Sequence, residues 1–250
     1  MRESNYYIET TESTNSTLKI LSDKESLPEG YVVYTDFQTA GKGQPGNSWE
    51  SEKGKNLLFS ILLFPQNIPI QSQFILSQIT CVAIKKVLDE YTDDISIKWP
   101  NDIYWKEKKI CGILIENSLL RDKINKCIIG IGLNINQEVF ASNAPNPVSL
   151  KQITGKEMDR EKILFDIHSQ LFHLYQNPDF ENIQKEYHRN LYRKDGFHPY
   201  KDAQTKEHFL ARIEKVEPDG RLILITEAGE RREYYFKEVA PSKSPPKGEI

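Results

Sequence analysis

The sequence is most informative first for what it is short of. It contains three cysteines, Cys81, Cys111 and Cys127, each among aliphatic neighbours and none paired at a metal-ligand spacing. An odd count in apolar settings reads as reduced core thiols, which excludes a disulfide framework. Five histidines form no compact cluster, and His168 and His173 stand at a poor helical spacing for two ligands of one ion, which argues against a histidine metal site. Net charge is small, -3, so no global field invites nucleic acid or an anionic membrane surface. Long apolar runs are missing too. The longest, Leu57 to Phe64, is broken by Ser60, far too short for a membrane helix but suited to a buried strand. The start, Met1-Arg2-Glu3-Ser4-Asn5, lacks the apolar segment of a secretory signal, so a cytoplasmic location is expected.

What is there is a globular composition, 38% hydrophobic and 28% charged over 250 residues. Tyr6 to Glu9 reads as a short strand, Thr11 to Ser16 as a run of small polar residues, and Leu18 to Leu21 as the start of a helix. Tyr31 to Phe37 is a β-branched and aromatic strand. Ile75, Ile79, Val82, Ala83 and Val87 recur at helical spacing, which predicts a helix over 72–90. Ile95, Ile97 and Trp99 alternate with Ser96 and Lys98 as a strand with two unlike faces. Three more strands are predicted at Ile103 to Trp105, Ile110 to Glu116 and Cys127 to Ile135, then helices over 159–175 and 179–192. After Gly196 short strands at Phe209, Leu222 and Arg232 surround turns at Pro218-Asp219-Gly220 and Gly229, which predicts a small β-barrel. This divides the chain into a main domain, 1–192, a compact β module, 193–241, and a disordered tail, 242–250.

Four segments carry chemistry. In the loop from Gln38 to Trp49, Gly41, Gly43 and Gly46 let the backbone approach an anion while Lys42 supplies a cation. It is neither a Walker A motif nor a dinucleotide fingerprint. A flexible surface loop is the bland alternative; Trp49, expected to stand exposed at its end, suits stacking on a flat ligand. In Lys98-Trp99-Pro100-Asn101-Asp102 a turn explains the last three residues, but not Lys98, which falls opposite Ile95, Ile97 and Trp99. Lys109 opens an apolar strand, either as a solvated edge charge or as an ammonium aimed at a carboxylate or phosphoryl oxygen. Gly130-Ile131-Gly132-Leu133-Asn134 places glycines in a strand, where core packing or a close ligand accounts for them equally.

In this order the segments resemble the catalytic domain of biotin protein ligases. The motifs are Ser13-Thr14-Asn15, Gly41-Lys42-Gly43 through Trp49, Lys98 through Asp102, Lys109 through Glu116, and Gly130 through Asn134. The resemblance covers residues 5–192. It implies an α/β fold of α+β type: a mixed sheet of the class II synthetase kind with flanking helices, followed by an SH3-like barrel. It further implies activation of biotin with ATP and Mg2+ as an adenylate, then transfer to a lysine of a biotin carboxyl carrier protein. By the same resemblance Ser13, Thr14, Asn15, Gln38, Gly41, Lys42, Gly43, Gln44, Lys109, Gly112 and Leu114 bind biotin. Lys42, Gln44, Trp49, Lys98, Asn101, Asp102 and Asn134 face ATP, and Lys109 and Lys42 are catalytic. Family members often carry lid arginines where this chain has Lys42, Gln44 and Asn47. Members that double as repressors carry an N-terminal helix-turn-helix; the first motif is reached here by residue 15, so no operator binding is expected, while dimerisation stays open. Lipoate ligases and octanoyl transferases share the fold, and in those terms Cys111, two residues from Lys109 and therefore expected on its side of the strand, is a rival nucleophile. A non-catalytic sensor of biotin or its adenylate is the other alternative.

Overall fold

The computed structural model describes residues 5–44, 46–141 and 146–242. The chain opens with a strand, β1 (Asn5–Thr11), then α1 (Thr14–Lys24), β2 (Val32–Gln38) and β3 (Leu57–Leu63). Helix α2 (Ile75–Leu88) leads into β4 (Ile95–Lys98), β5 (Asp102–Trp105), β6 (Lys108–Leu120) and β7 (Lys123–Leu133). A short helix, α3 (Leu150–Thr154), precedes α4 (Arg160–Gln176) and α5 (Phe180–Arg189). Strands β8 (His198–Asp202), β9 (His208–Val216), β10 (Leu222–Thr226), β11 (Arg231–Tyr234) and β12 (Val239–Pro241) complete the described chain. No described helix is long and apolar enough to cross a membrane.

Seven strands form a mixed sheet in the order β1-β2-β3-β7-β6-β5-β4, with only the β1–β2 pair parallel. Side chains alternate across a strand, so burial on both faces needs cover on both. All seven residues of β3 are buried for that reason. Ile61 and Leu63 join the large core with Ile79, Ile84, Ile163 and Ile167 of α2 and α4, while Leu62 packs with Leu18 of α1, Val33 and Ile128 on the other side. The face beneath α1 therefore carries the even-numbered residues of β3 and β7, with Ser60 opposite Gly130 and Leu58 opposite Gly132. Gly112 and Leu114 of β6 continue the row opposite Gly132 and Gly130. Three glycines and a serine at the centre of this face leave a trough.

The second sheet is antiparallel, in the order β11-β10-β9-β8-β12. Its edges are β11 and β12, so the described strands form an open sheet and do not complete the closed barrel expected from the turn pattern. Strands β8 and β12 and helix α3 were not legible as elements. Helix α3 is set by a capping box, in which Ser149 Oγ accepts from Gln152 N and the Gln152 side chain accepts from Ser149 N, and by left-handed Gly155. Helix α1 begins at Thr14, four residues ahead of the predicted start, because Ser13 occupies the extended N-cap position. The tail expectation concerns residues that, beyond Ser242, lie outside the described chain.

Candidate active site

The trough opens into a cavity of about 570 Å3. Its floor is the glycine-rich face of β6 and β7, one end is the start of α1, and its cover is the loop after β2. At the α1 end, Ser13 is buried and its hydroxyl is not spent as a helix cap. Thr14 donates to Gln38 Oε1 from both N (2.8 Å) and Oγ1 (3.1 Å). Ser60 Oγ lies 2.7 Å from Thr14 Oγ1 and 2.6 Å from Asn15 Oδ1, and Asn15 Nδ2 donates to Glu116 Oε2 at 2.6 Å. These buried hydroxyls and amides orient one another, as buried polar groups must. They can read a ligand's amide edge and would be left unpaired by a ligand lacking one.

The described residues of the loop after β2 fold back on one another as an arm. Trp49 N donates to Gly41 O (2.9 Å), Gly43 N to Asn47 O (3.0 Å), and Lys42 pairs with Ser48 across the arm. A methyl group on Gly41 would lie 2.5 Å from Trp49 O, so the arm's base closes only around glycine. Trp49 is not the exposed platform expected. Its ring lies on the floor, where a methyl group on Gly112 would come within 2.7 Å of Cζ3 and one on Gly132 within 2.5 Å of Cε2. Gly130 is similarly required, since a methyl group there would sit 2.2 Å from Asn15 Oδ1. The strand glycines thus admit two side chains of this same chain.

Charge enters from β4, β5 and β6. Lys98, Asp102 and Tyr104 face the cavity; Lys98 Nζ lies 3.1 Å from Tyr104 Oη and 5.0 Å from its ring centroid. Burial, reinforced by the Asp102 carboxylate, pushes the Tyr104 phenol up to about 12. Lys109 Nζ is paired with Asp102 Oδ1 at 2.7 Å and stands 5.7 Å from the Trp49 centroid. Lysine and glycine here share a face although they are three residues apart, which a regular strand forbids. A β-bulge resolves this: Ile103 pairs with Cys111 but Tyr104 with Lys109, so Ile110 is an extra residue. The bulge turns Lys109 to the cavity and leaves both Ile110 and Cys111 buried in the core. Cys111 is therefore on the opposite side from Lys109, contrary to the alternation argument, and burial drives its thiol upward, away from the thiolate a nucleophile needs.

The cavity brings together Ser13, Thr14, Asn15, Gln38, Lys42, Gly43, Gln44, Trp49, Lys98, Asn101, Asp102, Lys109, Gly112 and Leu114. Gly41 and Asn134 are not among the lining residues; Gly41 shapes the arm's base, and Asn134 is buried beyond the floor with no partner for Oδ1 among the described residues. Trp49 Nε1 is likewise buried without a partner there. Asn101 Nδ2 donates to Ile113 O at 3.0 Å, tying the β4–β5 turn to the floor. Trp99 departs from the expected alternation: β4 ends at Lys98, and Trp99, before a cis proline, lines the cavity too. Sequence reasoning missed Ser60, visible only as one polar residue in an apolar run, and Tyr104 and Phe236, for which it held no signal.

A family model described as the biotin/lipoate A/B protein ligase family matches residues 7–134, just over half of the chain. The chain belongs to that family. The bifunctional ligase/repressor BirA of Bacillus subtilis is 35% identical over 164 residues, 63% of this chain and 49% of that protein. The chloroplastic biotin–protein ligase 1 of Arabidopsis thaliana is 32% identical over 194 residues, 70% of this chain and 50% of that protein. The chain thus spans about half the length of the curated family relatives it matches. Among solved structures, the biotin protein ligase of Aquifex aeolicus in complex with biotin and ATP superposes with a TM-score of 0.77 at 25% identity, covering 96% of this chain and 100% of that one.

Proposed function

We propose that this protein is an ATP-dependent biotin protein ligase. Biotin and ATP give biotinoyl-5'-AMP and pyrophosphate, and the biotinoyl group then passes to a lysine of a biotin carboxyl carrier protein. The observation that carries the reading is the single cavity in which a hydroxyl-amide cluster, Lys42, Lys98 and the Lys109–Asp102 pair meet. The reading draws support from the Aquifex relative, whose structure holds biotin and ATP.

In this mechanism Ser13, Thr14, Asn15 and Gln38 hold the ureido ring, and the arm from Gly41 to Trp49 covers the ligand. The biotin carboxylate attacks the α-phosphorus and pyrophosphate leaves. Two anions must approach, and Lys109, released from Asp102, and Lys42 offset their repulsion. Lys98 and Asn101 serve the nucleotide side, while Asn134, buried beyond the floor, stays outside the cavity. The carrier lysine amine then attacks the carbonyl of the mixed anhydride, AMP departs, and the covering arm keeps water out between the two steps. Asp102 is the one carboxylate among the lining residues, and no cluster of three or more metal-binding side chains occurs among the described residues. That donor set fits a magnesium ion carried mainly on the ATP phosphates, where it would neutralise charge, rather than one held in a protein cage. Residues 1–192 are the biotin- and ATP-binding domain in this reading, and residues 193–241 a small module of SH3-like kind left open at its edges. The compartment is the cytoplasm. Mass spectrometry of a carrier domain incubated with the protein, ATP and biotin tests the whole proposal: a biotinoyl adduct on one lysine is expected, and an unmodified carrier overturns it.

A further inference from the structure

One residue that lines the cavity, Phe236, comes from the second sheet's connections. The turn between β11 and β12 is fixed by Glu238, whose N donates to Tyr235 O (3.1 Å) and whose Oε2 accepts from Tyr235 N (2.6 Å), while its carbonyl accepts from Ala203 N (2.7 Å). This turn sets the Phe236 ring edge-on to Trp99, with centroids 6.2 Å apart and planes at 68°. Trp99 is itself locked to the second sheet, because its Nε1 donates to Gly220 O at 2.9 Å. Phe236 therefore stands beside the turn carrying Lys98, Asn101 and Asp102, and it lines the same cavity.

The other aromatic rings of the cavity are engaged. Trp49 lies on the glycine floor, Tyr104 has Lys98 over it, and Trp99 is held by Phe236 and Gly220. Phe236, with Lys237 Nζ 5.9 Å from its centroid, stays 41% exposed, although a large apolar ring gains by being covered. The α1 end offers hydrogen-bonding groups for an amide-edged ligand, whereas this end offers ring surface and Lys98, the combination that suits a flat heteroaromatic base joined to phosphate.

We infer that Phe236 is a specificity-determining residue that covers the purine base of the nucleotide, so that the second sheet completes the ATP subsite. This rests on the proposed ligase reading. The test is biotin-dependent pyrophosphate release by the full chain, with KM for ATP and for biotin measured separately, for wild type, Phe236→Ala, Phe236→Leu, Phe236→Tyr and Phe236→Trp. Loss of one stacked face is expected to raise KM for ATP about tenfold, the equivalent of about 1.4 kcal/mol. That rise should appear in the alanine and leucine variants, with KM for biotin unchanged, and the flat tyrosine and tryptophan rings should restore it. Leucine keeps apolar packing against Trp99 without a planar face, so it separates stacking from support of the fold. An unchanged KM for ATP in Phe236→Ala overturns the inference, as does an equal rise for both ligands that the aromatic variants fail to reverse. A defect confined to transfer, seen only in KM for the carrier, overturns it in favour of a carrier contact. Wild type that releases no pyrophosphate with biotin and ATP overturns the ligase reading and this inference with it.

Discussion

Replacing Lys109 by alanine isolates the electrostatic core of the proposed reaction. The ammonium sits 2.7 Å from Asp102 Oδ1, with about a quarter of each side chain accessible, so it is neither fully solvated nor sealed from water. Two unit charges about 4 Å apart at an effective dielectric near 20 interact by about 4 kcal/mol. Partial exposure screens that value, leaving about 2–4 kcal/mol of transition-state stabilisation to lose, or roughly a 30- to 1,000-fold fall in the adenylation rate. The fold should hardly notice. A partly exposed ion pair of this kind contributes at most about 1 kcal/mol, which in a chain of this size lowers the melting temperature by about 2–4 °C. The assay is biotin-dependent exchange of pyrophosphate into ATP, with thermal unfolding measured on the same preparation. Lys109→Arg keeps the charge but changes its shape and reach, so it should recover only part of the loss. An alanine variant exchanging pyrophosphate within threefold of wild type would refute the assigned role, because no offset charge would then have been missing.

Other outcomes follow from the floor, the core and the buried phenols. Gly132→Ala places a methyl group 2.5 Å from Trp49 Cε2, an overpacking worth about 1–3 kcal/mol, so adenylation should weaken. In a Trp49→Ala background the same change should cost nothing further, and additive losses in that double-mutant cycle would show the contact to be irrelevant. Cys111→Ala removes a buried sulfur and should lower stability by about 1 kcal/mol while leaving ligation intact; loss of an ATP-independent acyl transfer in this variant would instead identify a thiol nucleophile. Burial raises Tyr104 and Tyr200 from 10.0 to about 12, so their neutral forms are favoured in the folded chain. Their contribution is complete below pH 10 and is lost as pH climbs towards 12, by up to about 3 kcal/mol each. Urea unfolding midpoints measured at pH 9 and pH 11.5 should fall less in Tyr104→Phe; an unchanged slope with pH would contradict this.

Much of the architecture was legible along the chain. Helix α2 announced itself through Ile75, Ile79, Val82 and Val87, and β3 through a run of apolar residues that only a strand buried on both faces can use. The motifs could be located because each needs particular residue types: glycine where a chain closes on itself at Gly41, an amide or hydroxyl at the start of α1, lysine at a strand end. Period-two counting failed at Lys109, since a bulge is a property of two paired strands and leaves no mark in one of them. It failed at Trp99 because the strand stops one residue short.

Local sequence determined which residues have the chemistry to meet two anions, and that they lie in loops and strand ends rather than in helices. Tertiary structure alone decided which of them share a surface. Lys42 and Lys98 are distant in sequence from each other and Phe236 more distant still, yet all three line one cavity. Burying both faces of the large sheet brings α1 over a glycine floor, the second sheet against Trp99, and the Trp49 ring down where only glycines leave room. Side-chain volume and strand register set that convergence, and both are properties of pairs of segments.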